Sequence, residues 1–125
     1  MPAKFGKIIW FDLTVEHAET VRDFYQQVIG WTPDTIDMET YQDYSMKASD
    51  GSTAAGICHK QGENAPIPSQ WMLYITVANL DESLKSCVAN GGKVLVPTRS
   101  MGASRFAVIE DPAGAVCSLF EQEPS

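Results

Sequence analysis

The sequence predicts an α+β domain built from two copies of one βαβββ unit, and three observations predict it. Each half opens on a strand pattern followed by an amphipathic helix. One offset of 62 residues overlays the two halves without a gap. Each half then closes on strands joined by a tight turn.

The first strand is carried by "GKIIWFDLTV" and the fifth by "WMLYITV". In "EHAETVRDFYQQVIGW", Val21, Phe24, Tyr25 and Val28 recur at i, i+3, i+4 and i+7, which predicts one apolar helix face with Gly30 as the stop. In "ANLDESLKSCVANGGK", Leu80, Leu84, Cys87 and Val88 do the same. Asn79 and Glu82 have the spacing of a capping box, and Gly91-Gly92 ends the helix. The offset places Thr14-Val15 on Thr76-Val77, Gly30 on Gly92, Tyr44 on Phe106 and Ile57 on Leu119.

The remaining strands read as 34–39, 41–48 and 53–60 in the first copy, with Ser49-Asp50-Gly51 as a turn. In the second copy they read as 93–98, 105–110 and 115–121, with Asp111-Pro112-Ala113-Gly114 as the matching turn. The polar, proline-bearing "QGENAPIPSQ" has no periodicity and reads as the linker, residues 61–70, between module one (about 4–60) and module two (about 71–123) of a single domain. A strand set with one helix on its back needs a second layer. The copies are therefore expected to pair into an open curved mixed sheet around a cleft, with the helices outside.

Composition narrows the function. A chain of 125 residues can bury a core. A formal charge of −7 argues against a nucleic-acid partner, which calls for a basic stripe. The opening "MPAKFGKIIWFDL" lacks a signal-peptide pattern and no stretch reaches membrane-span length, so a cytoplasmic chain without a membrane partner is expected. Cys58, Cys87 and Cys117 are odd in number and lack paired metal spacing, which fits reduced thiols used as small hydrophobes.

The ordered set "WFDLTV", "FYQQVIGW", "WMLYITV", "GGKVLVP" and "RFAVIEDPAGAVCSLF" resembles the vicinal oxygen chelate superfamily, in particular a glyoxalase-like subgroup. That superfamily includes glyoxalase I, bleomycin- and fosfomycin-resistance proteins and extradiol dioxygenases. The resemblance implies four metal-ligand positions, one on the first and one on the last strand of each copy. Carried over by the flanking motifs, they fall on Trp10, Gly56, Met72 and Ser118. Indole nitrogen only donates, glycine has no side chain, thioether suits soft metals and a lone serine is a poor ligand. The metal chemistry of the family is therefore not expected here, and no cofactor is expected. Of the two histidines, His17 is expected on the surface near the first helix, and His59 is expected to point away from the cleft.

Strand alternation lists the cleft face. Ile8, Trp10 and Asp12 come from the first strand, and Gln70, Met72 and Tyr74 from the fifth. Ala54, Gly56 and Cys58 come from the fourth, and Val116, Ser118 and Phe120 from the eighth. Tyr44 and Met46, with Phe106 and Val108, are expected to close the sides. The expected ligand contacts are Trp10, Asp12, Tyr44, Met46, Gly56, Cys58, Met72, Tyr74, Phe106 and Ser118, a surface suited to a mostly apolar or aromatic small molecule.

Three functions compete. The first is a metal-free small-molecule binding protein. The second is a lyase or isomerase acting on a small carbonyl or aromatic metabolite, either metal-independent, with Asp12 as general base and Tyr74 polarising a carbonyl, or a metal enzyme with displaced ligands; Cys58 lacks a histidine base on its face. The third is an interaction module with a filled cleft, Trp10 and Met72 occupying the space of a lost metal site. Phe24 and Tyr25 read as helix-to-sheet packing, Trp31 and Trp71 as core or interface residues on the opposite side, and Arg105 as a solvated rim arginine. A homodimer is expected.

Overall fold

The computed structural model describes residues 5–122; residue 4, where module one was expected to begin, and residue 123, where module two was expected to end, lie outside the described residues. The chain forms β1 (Ile8–Val15), α1 (Ala18–Ile29), β2 (Thr32–Asp37), β3 (Gln42–Lys47), β4 (Thr53–His59), a 3₁₀ turn (Gly62–Asn64), β5 (Trp71–Thr76), α2 (Leu80–Ala89), β6 (Lys93–Met101), β7 (Ser104–Glu110) and β8 (Val116–Glu121). The α+β class and the βαβββ order, twice, hold.

Two compact units result: Phe11–Trp71, and the described parts of Met1–Trp10 and Met72–Ser125. The division falls inside β1. The segment before β1 joins the later unit through the backbone: the Gly6 amide donates to the Thr76 carbonyl at 2.7 Å, and the Thr76 amide to the Lys7 carbonyl at 2.8 Å.

In the unit Phe11–Trp71 the strand order is β2-β3-β4-β1, with β4 and β1 parallel and the other pairs antiparallel. β2 lies at the edge of this order and carries Pro33, a residue an edge strand tolerates because no ladder amide is lost. The helix side of this sheet holds a core of Leu13, Val15, Ala18, Tyr44, Met46 and Ile57, against which Val21, Tyr25, Trp31 and Trp71 pack. α1 starts on His17 in the left-handed region (φ 53°) and ends on Gly30 (φ 90°), whose amide returns to the Gln26 carbonyl. The apolar face expected from the sequence splits here. Ala18, Val21 and Tyr25 form the inward line, whereas Phe24 and Val28 sit on a flank and are 56% and 63% exposed. Packing of Phe24 against the sheet is thus corrected, while that of Tyr25 stands.

In the other unit the order is β5-β8-β7-β6, with β5 and β8 parallel. Its helix side is built on Leu80, Ala107 and Leu119, with Ile75, Val77, Leu84, Ile109 and Cys117 around them. Asn79 caps α2 by accepting from the Glu82 amide at 3.1 Å. The two terminal glycines divide their work. Gly91 takes the left-handed conformation (φ 93°), and Gly92 is where the backbone passes too close for a side chain. The stretch expected as a featureless linker carries the 3₁₀ turn and buries Ile67.

Candidate functional site

Register fixes which side chains share a face. Along β1 and β4, Asp12 pairs with Gly56 and Leu13 with Ile57. Leu13 and Ile57 belong to the helix-side core, so Asp12, Gly56 and Cys58 lie on the opposite face, as alternation requires. Trp10, two residues before Asp12 on β1, is half-buried.

The β3 assignments need correction. Tyr44 pairs with Ile57 and Met46 with Ala55, and both side chains are buried in the helix-side core. Asp43 and Ser45 occupy the face of Asp12 and Gly56 instead, with Ser45 directly opposite Gly56. In the other unit Phe106 pairs with Phe120 and Val108 with Ser118. Under the 62-residue repeat Tyr44 would face Cys58, but β3 runs one residue out of step. The register shifts between Met46 and Lys47, where Ala54 is passed over. A single-residue slip turns a whole strand over, so a tyrosine and a methionine exchange places with an aspartate and a serine.

Asp43 is buried, and its Oδ1 accepts the His59 amide at 2.8 Å. Burial pushes the Cys58 thiol far up, and the Asp12 and Asp43 carboxylates push it further. Both effects disfavour the thiolate, the form in which a cysteine attacks.

In the other unit, Tyr74 pairs with Ser118 across β5 and β8, which brings Met72, Tyr74, Phe106, Val108 and Ser118 to one face. The Tyr74 and Phe106 rings lie 6.1 Å apart, and both residues are buried. Met72 and Ser118 are fully buried. Ser118 Oγ donates to the Ala107 carbonyl at 3.1 Å, across the β7–β8 ladder. Its hydroxyl proton is thus engaged inside the sheet.

The positions at which the resemblance implies metal ligands hold an indole, a bare backbone, a buried thioether and this internally bonded serine. That donor set does not fit a divalent ion, which needs several oxygen or imidazole donors around an open position. Among the described residues, no group of three or more His, Cys, Asp or Glu side chains is placed to hold a metal.

His59 is expected to point away from the cleft, and its register partner Val15 places it on the helix side. It is not a loose surface residue, however. Its Nε2 lies 2.7 Å from Glu19 Oε2 on α1, and its Nδ1 meets the Gln42 carbonyl on β3. The bond from His59 holds the Glu19 carboxyl below the usual carboxylate range. Beside this bridge opens a cavity of about 390 Å³ lined by Glu19, Asp37, Glu39, Thr40, Tyr41, Gln42, Tyr44 and His59. A second, of about 340 Å³, shares Thr40 and Tyr41 and is completed by Gln61, Gly62 and Asn64. Nothing local in the sequence joins Glu19 to His59, 40 residues apart; the usable signal was an acid in the first helical turn and a histidine on the helix-facing side of β4. His17 is exposed, as expected.

Arg105 is not a free rim arginine. Its Nη2 lies 2.9 Å from Glu121 Oε1 and 3.6 Å from Asp81 Oδ2, and its Nε donates to the same Glu121 oxygen at 3.0 Å.

These features meet in one fold class, an α+β protein of duplicated βαβββ units. The sequence profile of the glyoxalase/bleomycin resistance protein/dioxygenase superfamily matches residues 7–119, and the chain belongs to that superfamily. Over 120 residues it is 30% identical to the provisionally named glyoxylase CFP32 of Mycobacterium bovis, covering 95% of this chain and 45% of that protein. It is 27% identical over 130 residues to the anthracycline biosynthesis protein DnrV of Streptomyces peucetius, covering 94% and 47%. The chain thus spans about half the length of these relatives. A methylmalonyl-CoA epimerase of Streptomyces coelicolor shares the fold with a TM-score of 0.58 at 15% identity, over 97% of this chain and 100% of that one. A superfamily member from Vibrio splendidus 12B01 does so with a TM-score of 0.60 at 10% identity, over 93% and 100%. No helix among the described residues is long and apolar enough to cross a membrane.

Proposed function

We propose that this chain is a small-molecule binding protein of the glyoxalase/bleomycin-resistance type that works without a metal. The observation that carries the reading is Ser118, fully buried with its hydroxyl given to the Ala107 carbonyl. At that strand position the resemblance implies a metal ligand, and a buried, neutral serine hydroxyl is a weak donor for a divalent ion. The face around Ser118 is aromatic and thioether in character: Met72, Tyr74 and Phe106. Such a surface suits a mostly apolar or aromatic ligand, because flat rings stack on it and methionine adapts its shape. Tyr74 and Phe106 are both buried, so ligand entry requires the rings to part.

The test is a thermal-shift and calorimetric screen of the purified chain against aromatic small molecules, with and without EDTA. Stabilisation by at least one aromatic compound, unchanged by EDTA and weakened by Phe106→Ala, is the expected outcome. A stoichiometric metal ion whose removal abolishes ligand binding overturns the reading. Stabilisation by no compound in the screen points instead to an interaction module. Turnover of a carbonyl substrate, lost in Asp12→Asn, points to the lyase or isomerase alternative.

A further inference from the structure

We infer that the cavity beside His59 binds a small organic cation, a primary ammonium on a short alkyl chain. The site lies on the helix side of the sheet, within the unit Phe11–Trp71, and does not use the cleft face. The Tyr44 hydroxyl carries the inference. Tyr44 is 3% exposed and is the one buried residue among those lining the cavity. Its ring is held by Arg22, whose guanidinium sits 4.7 Å above it, and by the His59 ring at 6.2 Å. Its hydroxyl has no hydrogen-bond partner among the described residues. Every fully sealed side-chain nitrogen or oxygen among those residues is bonded, so this unbonded oxygen is not sealed and opens on the cavity it lines. A buried tyrosine ordinarily finds a partner for its hydroxyl. Here no protein group supplies one, and the oxygen is left to whatever enters.

Charge names the class of ligand. Glu19, Asp37 and Glu39 line the cavity, and among the described residues no lysine or arginine does. Glu19 meets His59 through Oε2, and Asp37 accepts the Glu39 amide through Oδ1 at 2.9 Å. Neither bond uses up its carboxylate, which accepts through two oxygens. The Arg22 guanidinium is itself paired, with Asp23 at 2.9 Å. An anion is repelled by such a lining, and a neutral alcohol leaves its charge unanswered. An ammonium donates three hydrogen bonds and accepts none, which matches a hydroxyl lone pair and carboxylate oxygens. The Tyr41 ring adds a π surface to the same wall. A volume of about 390 Å³ suits a small ligand, whose pockets run from about 300 to 1,000 Å³. A bare metal ion fits less well, because no three acids, histidines or cysteines among the described residues converge to hold one.

Titration of the ¹⁵N-labelled 125-residue chain with n-butylamine hydrochloride at constant ionic strength tests this by NMR. The expected result is saturable shifts of the Tyr41, Gln42 and Tyr44 amides, absent with n-butanol. Tyr44→Phe removes only the unbonded oxygen, so it should raise Kd about tenfold while leaving the urea midpoint unchanged. Glu39→Gln, on the exposed β2–β3 turn, should also weaken binding, whereas Glu82→Gln on α2 should not. The ammonium could belong to a free amine or to a lysine side chain, and Nα-acetyl-lysine amide separates them. Binding as tight as that of butylamine admits lysine side chains, and its failure confines the site to free amines. No saturable shift, equal binding of butanol, tighter binding of calcium at the same amides, or a Kd indifferent to both Tyr44→Phe and Glu39→Gln overturns the proposal.

Discussion

Glu121 Oε2 accepts the backbone amide of Leu80 at 2.7 Å, so the last residue of β8 caps the first turn of α2. The other oxygen of the same carboxylate holds Arg105, which also reaches Asp81. One side chain thereby satisfies an orphan helix amide, adds negative charge at the positive end of the helix dipole and ties β7 to β8.

Glu121→Ala is expected to lower unfolding free energy by about 1–2 kcal/mol, the scale of a lost cap plus a charge-assisted bond, measured by urea unfolding. The pH dependence has a definite sign. The Leu80 amide first, and Arg105 after it, hold the Glu121 carboxyl below the usual range. A depressed carboxyl contributes stability above its unfolded pKa and loses it as pH falls through the folded value. The gap between wild type and Glu121→Gln should therefore be full at neutral pH and close as pH falls below the ordinary carboxylate range.

The bridge from Glu19 to His59 gives a second test. The bond from His59 is the main cause of the lowered Glu19 carboxyl, so in His59→Ala the Glu19 titration should move up toward the ordinary value. Carboxyl carbon NMR reads this directly. A Glu19 titration unchanged by the substitution would show that the bond does not form in solution.

Most of the fold was legible because duplication repeats a signal. The strand–helix–strand order, the αL glycine that ends α1 and the αL glycine next to its counterpart in the second copy, and the β5, β7 and β8 faces follow from periodicity and one offset. The β3 face was not legible. Tyr44 and Met46 align in sequence with Phe106 and Val108, yet the irregularity at Ala54 shifts pairing by one residue and turns them into the core. An alignment offset preserves residue positions but not hydrogen-bond register, and only register decides a face. The cavity at His59 escaped for a related reason, since its walls come from α1, β3 and the β2–β3 turn, which nothing in the local sequence brings together. Met46→Ala follows as a check on the corrected face. A fully buried core methionine is expected to cost about 2–5 kcal/mol when truncated, measured by thermal or urea unfolding, whereas a residue closing an open cleft would cost far less.

Cysteine reactivity separates the sites further. Burial, with Asp12 and Asp43 behind it, raises the Cys58 thiol, and burial raises Cys117 as well. Iodoacetamide at neutral pH should therefore leave Cys58 unlabelled in the native protein and modify it readily in denaturant, as read by mass spectrometry. Rapid native labelling of Cys58 would restore it as a candidate nucleophile.

Gly92 makes the sharpest stability prediction, because two different reasons for glycine stand side by side. At Gly91 the backbone sits at φ 93° and a Cβ would meet only Pro112 at 3.6 Å, so alanine there carries conformational strain of about 1 kcal/mol. At Gly92 the conformation is no obstacle, but a Cβ would lie 2.7 Å from Cys87 Sγ and 2.8 Å from the Glu110 carbonyl. The sulfur ends a short side chain and can be removed; the carbonyl belongs to β7 and cannot. Gly92→Ala is therefore expected to cost about 1–3 kcal/mol, the scale of forced overpacking. Adding Cys87→Ala should recover only part of that loss, because α2 must still move off β7 to clear the carbonyl. Full recovery in the double variant would show that the sulfur alone set the close approach, and that α2 has slack against β7.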